Sequence, residues 1–166
     1  MIRKATLKDI DSILKITQDC AQFLISKGIY QWNDIYPSRK AFENDINRDE
    51  LYLLEHQNAI IGCVVISTYV DEEYRPVKWL TPNNNNVYIH RLAVHPNYQK
   101  QGFAQQLMTF AEQYAKTNNY TSVRLDTFSQ NKSNQKFYEQ RGYQRLEIIH
   151  YPKQSEHDFY CYEYVF

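Results

Sequence analysis

The run Val94 to Ala115, VHPNYQKQGFAQQLMTFAEQYA, constrains this chain more than any other. It reads as the end of a strand at Val94, a turn through Pro96, and a helix whose first turn carries Gln99, Lys100, Gln101, Gly102, Phe103 and Ala104. Phe103, Leu107, Phe110, Ala111 and Tyr114 recur at the helical period, with Gln105, Gln106, Glu112, Gln113 and Lys116 opposite. One face must therefore lie on a core. The first N–H groups of a helix have no partner within it, and Gly102 lets a ligand approach that backbone closely. The helix dipole adds to the pull, so this start suits an anion. A Walker loop and a GxGxxG fingerprint are both missing, so backbone amides would hold the anion and nothing calls for magnesium.

At 166 residues the chain fits one domain, 1–166, with a sizeable core. Its 19 basic and 19 acidic side chains cancel, which removes any global attraction to nucleic acid or an acidic membrane. Cys20, Cys63 and Cys161 are odd in number and far apart, arguing against a disulfide framework or a zinc ribbon. His95, His150, His157 and Cys161 have no metal-ligand spacing, and no metal is expected. Charges interrupt every apolar run of MIRKATLKDIDSILKI, so the start is neither signal peptide nor membrane span, and a cytoplasmic protein is expected. With 15 Tyr and 8 Phe against 4 Gly, core and pocket walls should be built from rings with polar tips.

Ile2 to Lys4 reads as a strand, and Thr6 with Asp9 as a capping box before a helix to about Cys20, followed by a second piece from Ala21 to Lys27 that Gly28 stops. The segment Ile29 to Pro37 has no period and concentrates rings and amides. Ser38 caps a helix over Arg39 to Asn47. Strands are predicted at Leu51–Glu55, Ala59–Tyr69 and Val87–Val94, antiparallel so far, then at Thr121–Thr127, parallel to its predecessor through a right-handed crossover. A helix from Asn131 to Arg141 ends at Gly142, and Tyr143–Tyr151 and Asp158–Phe166 close the sheet as a hairpin. Tyr160, Tyr162, Tyr164 and Phe166 alternate along one face of the last strand, suiting a homodimer interface as well as an internal wall.

Gln99-x-x-Gly102-x-Ala104, after Leu92-Ala93-Val94-His95-Pro96, resembles the acyl-CoA signature Q/R-x-x-G-x-G/A of the GCN5-related N-acetyltransferases, the GNAT family. Asn131, Phe137-Tyr138 and Gly142-Tyr143 are similar to that family's downstream N…FY…GF segment, although Asn134 stands where a small residue is usual. The resemblance covers the second half of the chain well and the first half loosely. It implies an α/β fold: a single GNAT-type domain with a mixed, mostly antiparallel sheet of six to seven strands, about four flanking helices, and a splayed parallel strand pair holding the cofactor.

The resemblance further implies that the backbones of Leu92, Ala93 and Val94 pair with the pantetheine arm of acetyl-CoA, while amides from Gln99 through Lys100, Gln101, Gly102, Phe103 and Ala104 to Gln105 hold its pyrophosphate. Phe103 and Leu107 are read as core residues. Asn131 matches a cofactor-contacting amide, and is equally a helix cap. Tyr138 matches the family's acid: a phenol can protonate a leaving thiolate. The base sits on the strand face shared by Tyr88, His90 and Leu92, and His90 has the intrinsic pKa for it; Asp126 is a second candidate. Trp32 and Tyr36, in the segment where the family's substrate loop lies, and Tyr88 are the expected acceptor walls. Lys132, Lys136, Arg141 and Arg145 form a basic stripe, either solvated or drawn to the adenosine phosphates.

The expected activity is acetyl transfer from acetyl-CoA to a primary amine of a small molecule or peptide by direct attack in a ternary complex, since neither motif holds a cysteine for a covalent route. A non-catalytic acyl-CoA sensor or interaction module would keep the anion seat and need neither acid nor base.

Overall fold

The computed structural model describes residues 1–166. Seven strands, β1 (Ile2–Lys4), β2 (Leu51–His56), β3 (Ala59–Ser67), β4 (Asn86–Val94), β5 (Ser122–Phe128), β6 (Gln144–Ile149) and β7 (Phe159–Val165), form a mixed sheet in the order β1-β2-β3-β4-β5-β7-β6. Four helices accompany them: α1 (Ile10–Ser26), α2 (Arg39–Asn47), α3 (Phe103–Thr117) and α4 (Lys132–Gln140). The chain packs as two compact units, Met1–Ile66 with His90–Ala111, and Ser67–Ile89 with Glu112–Phe166. Strand β4 and helix α3 each pass from one to the other.

In the first unit the Thr6–Asp9 capping box forms, with Asp9 accepting from the Thr6 amide at 2.8 Å, and α1 follows. The two helical pieces expected here are one helix, because Ile10, Ile13, Thr17, Cys20 and Ala21 continue a single buried stripe past Cys20. Gly28, at φ +76°, ends it as predicted. Ser38 caps α2 by accepting from the Ala41 amide at 3.1 Å. Strands β2 and β3 turn through Gln57 and Asn58, both left-handed, the two-residue hairpin loop whose twist matches antiparallel strands. Their inner faces join Ile13, Ile16 and Phe42 in the core, where each fully buried large apolar side chain stabilises by ~1.5–3 kcal/mol. A Cβ at Gly62 would stand 2.7 Å from the Ala93 carbonyl oxygen, so only glycine allows β3 this close to β4.

Within strand β4, Arg91 takes φ +48°, a conformation that a large side chain holds only when its surroundings enforce it. The guanidinium supplies the restraint. Its Nη2 and Nε donate to the two oxygens of the fully buried Asp45 at 2.6 and 2.7 Å, and Nη1 donates to the Tyr36 hydroxyl at 3.0 Å.

In the second unit β4 pairs with β5 in parallel over three residues, ending at Tyr88 and Arg124, as the crossover rule predicts. The hairpin of β6 and β7 forms, with β7 rather than β6 lying against β5 over seven residue pairs. Beneath it lies an ion pair absent from the sequence expectation: Arg124 and Glu163, both wholly buried side chains, 3.0 Å apart. Glu163 also accepts from Thr81, Ser122 and the Leu80 amide, and Arg124 donates to Asn83 and the Thr81 carbonyl. Paired on all sides, the two charges tie the long β3–β4 connection to β5 and β7. The rings of β7 are engaged: Tyr162 donates to Glu139 at 2.9 Å, Tyr160 lies under the Arg145 guanidinium, and Tyr164 packs on Tyr143.

Candidate active site

The anion seat belongs to the first unit and is a turn before the helix, not its first turn. Lys100 at φ +61° and Gly102 at φ +86° are left-handed, so the α conformation starts only at Phe103. The amides of Lys100, Gln101, Gly102, Phe103 and Ala104 donate to no group of the protein. A Cβ built on Gly102 meets nothing within 4 Å, so the space over the turn is open. Five undonated amides around two left-handed residues, ahead of a fifteen-residue helix, are donors that could hold an anion such as a pyrophosphate. Phe103 and Leu107 face inward, as expected, and Gln105 is exposed.

Gln99 is bound by its side chain to the strand: Nε2 donates to the Val94 carbonyl at 3.0 Å, and that oxygen also accepts from the Cys20 thiol at 3.2 Å. The signature glutamine thus fixes the turn to the end of β4. The His95 amide donates to Ile61 of β3, so, by the alternation of an extended strand, Leu92 and Val94 direct their backbone groups away from β3.

The second unit brings together a different group. Tyr138, on the buried face of α4, packs edge-on to Phe137 and Tyr143 and against Tyr162, and its hydroxyl has no hydrogen-bond partner in the protein. Burial, then the charge of Asp126, push its phenol well above the usual range, so it keeps its proton at neutral pH. Asp126 of β5 accepts at Oδ2 from the Tyr74 hydroxyl at 2.5 Å and from the Tyr151 hydroxyl at 3.4 Å, while Oδ1 accepts from nothing in the protein. Burial outweighs the two phenols, and with Asp71 and Glu73 adding their charge, the Asp126 carboxyl is pushed up to about 7. Tyr151 also donates to Asp71 at 3.1 Å.

His90 is half-buried in the first unit. Burial, then the charges of Arg91 and Arg48, lower its imidazole to about 3. Asn131 caps α4, its Oδ1 accepting from the Asn134 amide at 3.1 Å. Trp32 packs on the core of the first unit and Tyr36 accepts from Arg91. Tyr88 is buried in the second unit, with its hydroxyl accepting from Arg124 Nη1 at 3.2 Å and its ring 5.6 Å from that of Tyr74. Of the basic stripe, Lys132 and Lys136 are exposed, Arg141 pairs with Glu112 at 2.6 Å and Arg145 stacks on Tyr160. Tyr74, Tyr151 and Trp79 carried no sequence signal: each is one ring among many in a stretch without periodicity. No group of three or more His, Cys, Asp or Glu side chains is disposed to hold a metal, and no helix is long and apolar enough to cross a membrane.

Residues 10–143 match the model of the acetyltransferase (GNAT) family, to which this chain belongs. It is similar to an uncharacterized N-acetyltransferase of Bacillus subtilis, YesJ, with 22% identity over 142 residues, covering 84% of this chain and 79% of that protein. In structure it resembles a GNAT-family acetyltransferase of Streptococcus agalactiae, with TM-score 0.81, 22% identity, and 100% and 95% of the two chains covered. It also resembles the PaiA N-acetyltransferase of Thermoplasma acidophilum solved in complex with coenzyme A, with TM-score 0.71, 19% identity, and coverage of 100% and 98%.

Proposed function

We propose that residues 1–166 are one acyltransferase domain that transfers an acetyl group from acetyl-CoA to a primary amine of a small molecule or peptide by direct attack. The observation that carries this reading is Asp126: a carboxylate near neutrality, with one oxygen unengaged, in the electrostatic field of a protonated phenol, Tyr138. Acetyl-CoA supplies the activated acyl group as a thioester. The amides of residues 100–104 hold its pyrophosphate, Leu92 and the Val94 amide offer it backbone groups, and Gln99 keeps turn and strand in register.

An alkylammonium of pKa ~10.4 must lose a proton before it can attack. Asp126 Oδ1 takes that proton; the freed amine adds to the thioester carbonyl, and as the C–S bond breaks Tyr138 Oη donates its proton to the departing sulfur and is reprotonated by the second proton that the nitrogen loses on becoming an amide. We assign the base to Asp126 rather than His90, because an imidazole held near 3 attracts a proton too weakly at neutral pH. Tyr88 remains an acceptor-site residue, whereas Trp32 and Tyr36, engaged with the core and Arg91, are read as anchors of their loop. Cys161 also feels the charge of Asp126, but burial and that charge raise its thiol far above the thiolate range, which argues against a covalent acyl-cysteine.

The test is release of coenzyme A from acetyl-CoA in the presence of a panel of primary amines. We expect amine-dependent turnover that survives Cys161→Ala within about threefold and falls at least ~100-fold in Asp126→Asn, the usual scale for a general base. Acetyl-CoA binding without turnover of any amine would instead favour the sensor reading.

A further inference from the structure

Next to Asp126 the second unit contains a cavity of about 310 Å³ lined by Val70, Tyr74, Arg75, Trp79, Asn83 and Tyr88. Three of its walls are rings in contact, Tyr74 with Trp79 at 5.3 Å and Tyr74 with Tyr88 at 5.6 Å between centroids. Its back is rigid. The Arg124 guanidinium lies 4.6 Å from the centre of the Trp79 ring and donates to both Tyr88 and Asn83, while Glu163 neutralises it. Trp79 Nε1 is used by the Tyr74 carbonyl at 3.1 Å, so the indole presents carbon and not a donor. Tyr74 joins this cavity to the chemistry: its ring is a wall and its hydroxyl holds Asp126.

We propose that this cavity seats the carrier group of the acceptor, and that the acceptor is a primary amine borne on an uncharged planar ring through a short alkyl arm. The proposal rests on the reading of Asp126 as the base. Faces of aromatic rings favour a flat apolar guest, and the volume lies at the small end of ligand sites, enough for one ring and a two-carbon arm. The walls offer no carboxylate to a second cation in the guest: Arg75 at the rim pairs with Glu72 at 3.1 Å, and Arg124 behind pairs with Glu163. Trp79 is then the residue that determines specificity, and Val70, also in the lining, is a place where volume can be removed.

The experiment compares 2-phenylethylamine, n-butylamine and 1,4-diaminobutane as acceptors for the full chain with acetyl-CoA, in the native protein, Trp79→Ala and Val70→Trp. In parallel, 2-phenylethylamine is titrated against the fluorescence of Trp32→Phe, which leaves Trp79 as the one indole of the two in the chain. We expect kcat/KM for the aryl amine to exceed that for the other two at least tenfold. Both variants should lose that preference through a raised KM for the aryl amine, the signature of lost uniform binding. Val70→Trp adds bulk at a lining position while Trp79 and Arg124 stay as they are, so it decides the matter if Trp79→Ala fails to fold. Equal kcat/KM for the three amines, or a preference that survives Val70→Trp, overturns the proposal. Saturable quenching by 2-phenylethylamine with no turnover of any amine supports the cavity and refutes the base instead. Absence of both quenching and preference refutes the cavity even where amines are acetylated.

Discussion

The hydroxyl of Tyr74 lies 2.5 Å from Oδ2 of Asp126, and it reaches there from a one-turn helix in the β3–β4 connection, 52 residues away in sequence. That contact engages one carboxylate oxygen, and the other accepts from nothing in the protein. Because a donated hydrogen bond favours the ionised carboxylate, Tyr74 opposes the upward push of burial and of the neighbouring Asp71 and Glu73.

The pH profile follows from this balance. Asp126 must be ionised to act, so kcat/KM should rise with pH and level off above about 7, the value to which its carboxyl is displaced. An amine of pKa ~10.4 keeps the acceptor's own titration well away from that inflection. Tyr74→Phe removes the donor and should move the inflection upward by about half to one pH unit. An inflection unmoved by this change would separate Asp126 from the rate.

Stability should show the opposite face of the same displacement. A carboxyl whose pKa is higher folded than unfolded binds its proton more tightly in the native state, so its contribution is favourable at acid pH and is lost as pH rises from about 4 to about 7. Asp126→Asn removes that loss. We expect it to stabilise the protein by ~1–2 kcal/mol at pH 8, less than the full displacement would give because Asp126 is only half-buried, and to have little effect at pH 4. Denaturant melts at the two pH values test this.

Tyr138→Phe keeps the ring packing against Phe137, Tyr143 and Tyr162 and removes only the proton donor. Turnover should fall by ~10–100-fold. The rise in melting temperature with acetyl-CoA should persist, since a ligand at about 100 times its dissociation constant adds ~2.7 kcal/mol whether or not it reacts. Native turnover in the variant would remove the acid role.

Gly102→Val asks the anion seat for both conformation and space. A branched side chain at φ +86° costs about 1–3 kcal/mol, and its methyl groups would project into the open region over the five amides. The acetyl-CoA-induced shift should shrink by more than half. Gly28→Val, at φ +76° with equally open surroundings, carries the strain without the site and should leave the shift intact.

Much of this arrangement was legible in the sequence where a local rule governs it. The capping box at Thr6, the cap at Ser38, the parallel β4–β5 pair and the apolar face of α3 each follow from residues close together in the chain. The start of α3 was misplaced because the left-handed Lys100 is set by the turn and not by its own preference. Long-range polar pairs were invisible for a related reason. Arg124 and Glu163 alternate with apolar neighbours on strands of ordinary pattern, and Tyr74 and Tyr151 are separated from Asp126 by chain whose folding alone brings them near. His90 looked suited to a proton from its intrinsic pKa, which says nothing of the two arginines that lower it.

The three cysteines have a practical meaning. Each is buried, and the thiols of Cys20 and Cys63 are pushed up to about 12, with Cys161 displaced in the same direction. At pH 8 their thiolate fraction is on the order of 10⁻⁴, so the folded protein should be silent toward a disulfide-exchange dye. Coenzyme A released by turnover would be the one reactive sulfur in the cuvette. The same reagent, added during a denaturant ramp, would gain three equivalents as each molecule opens and so count unfolded chains directly.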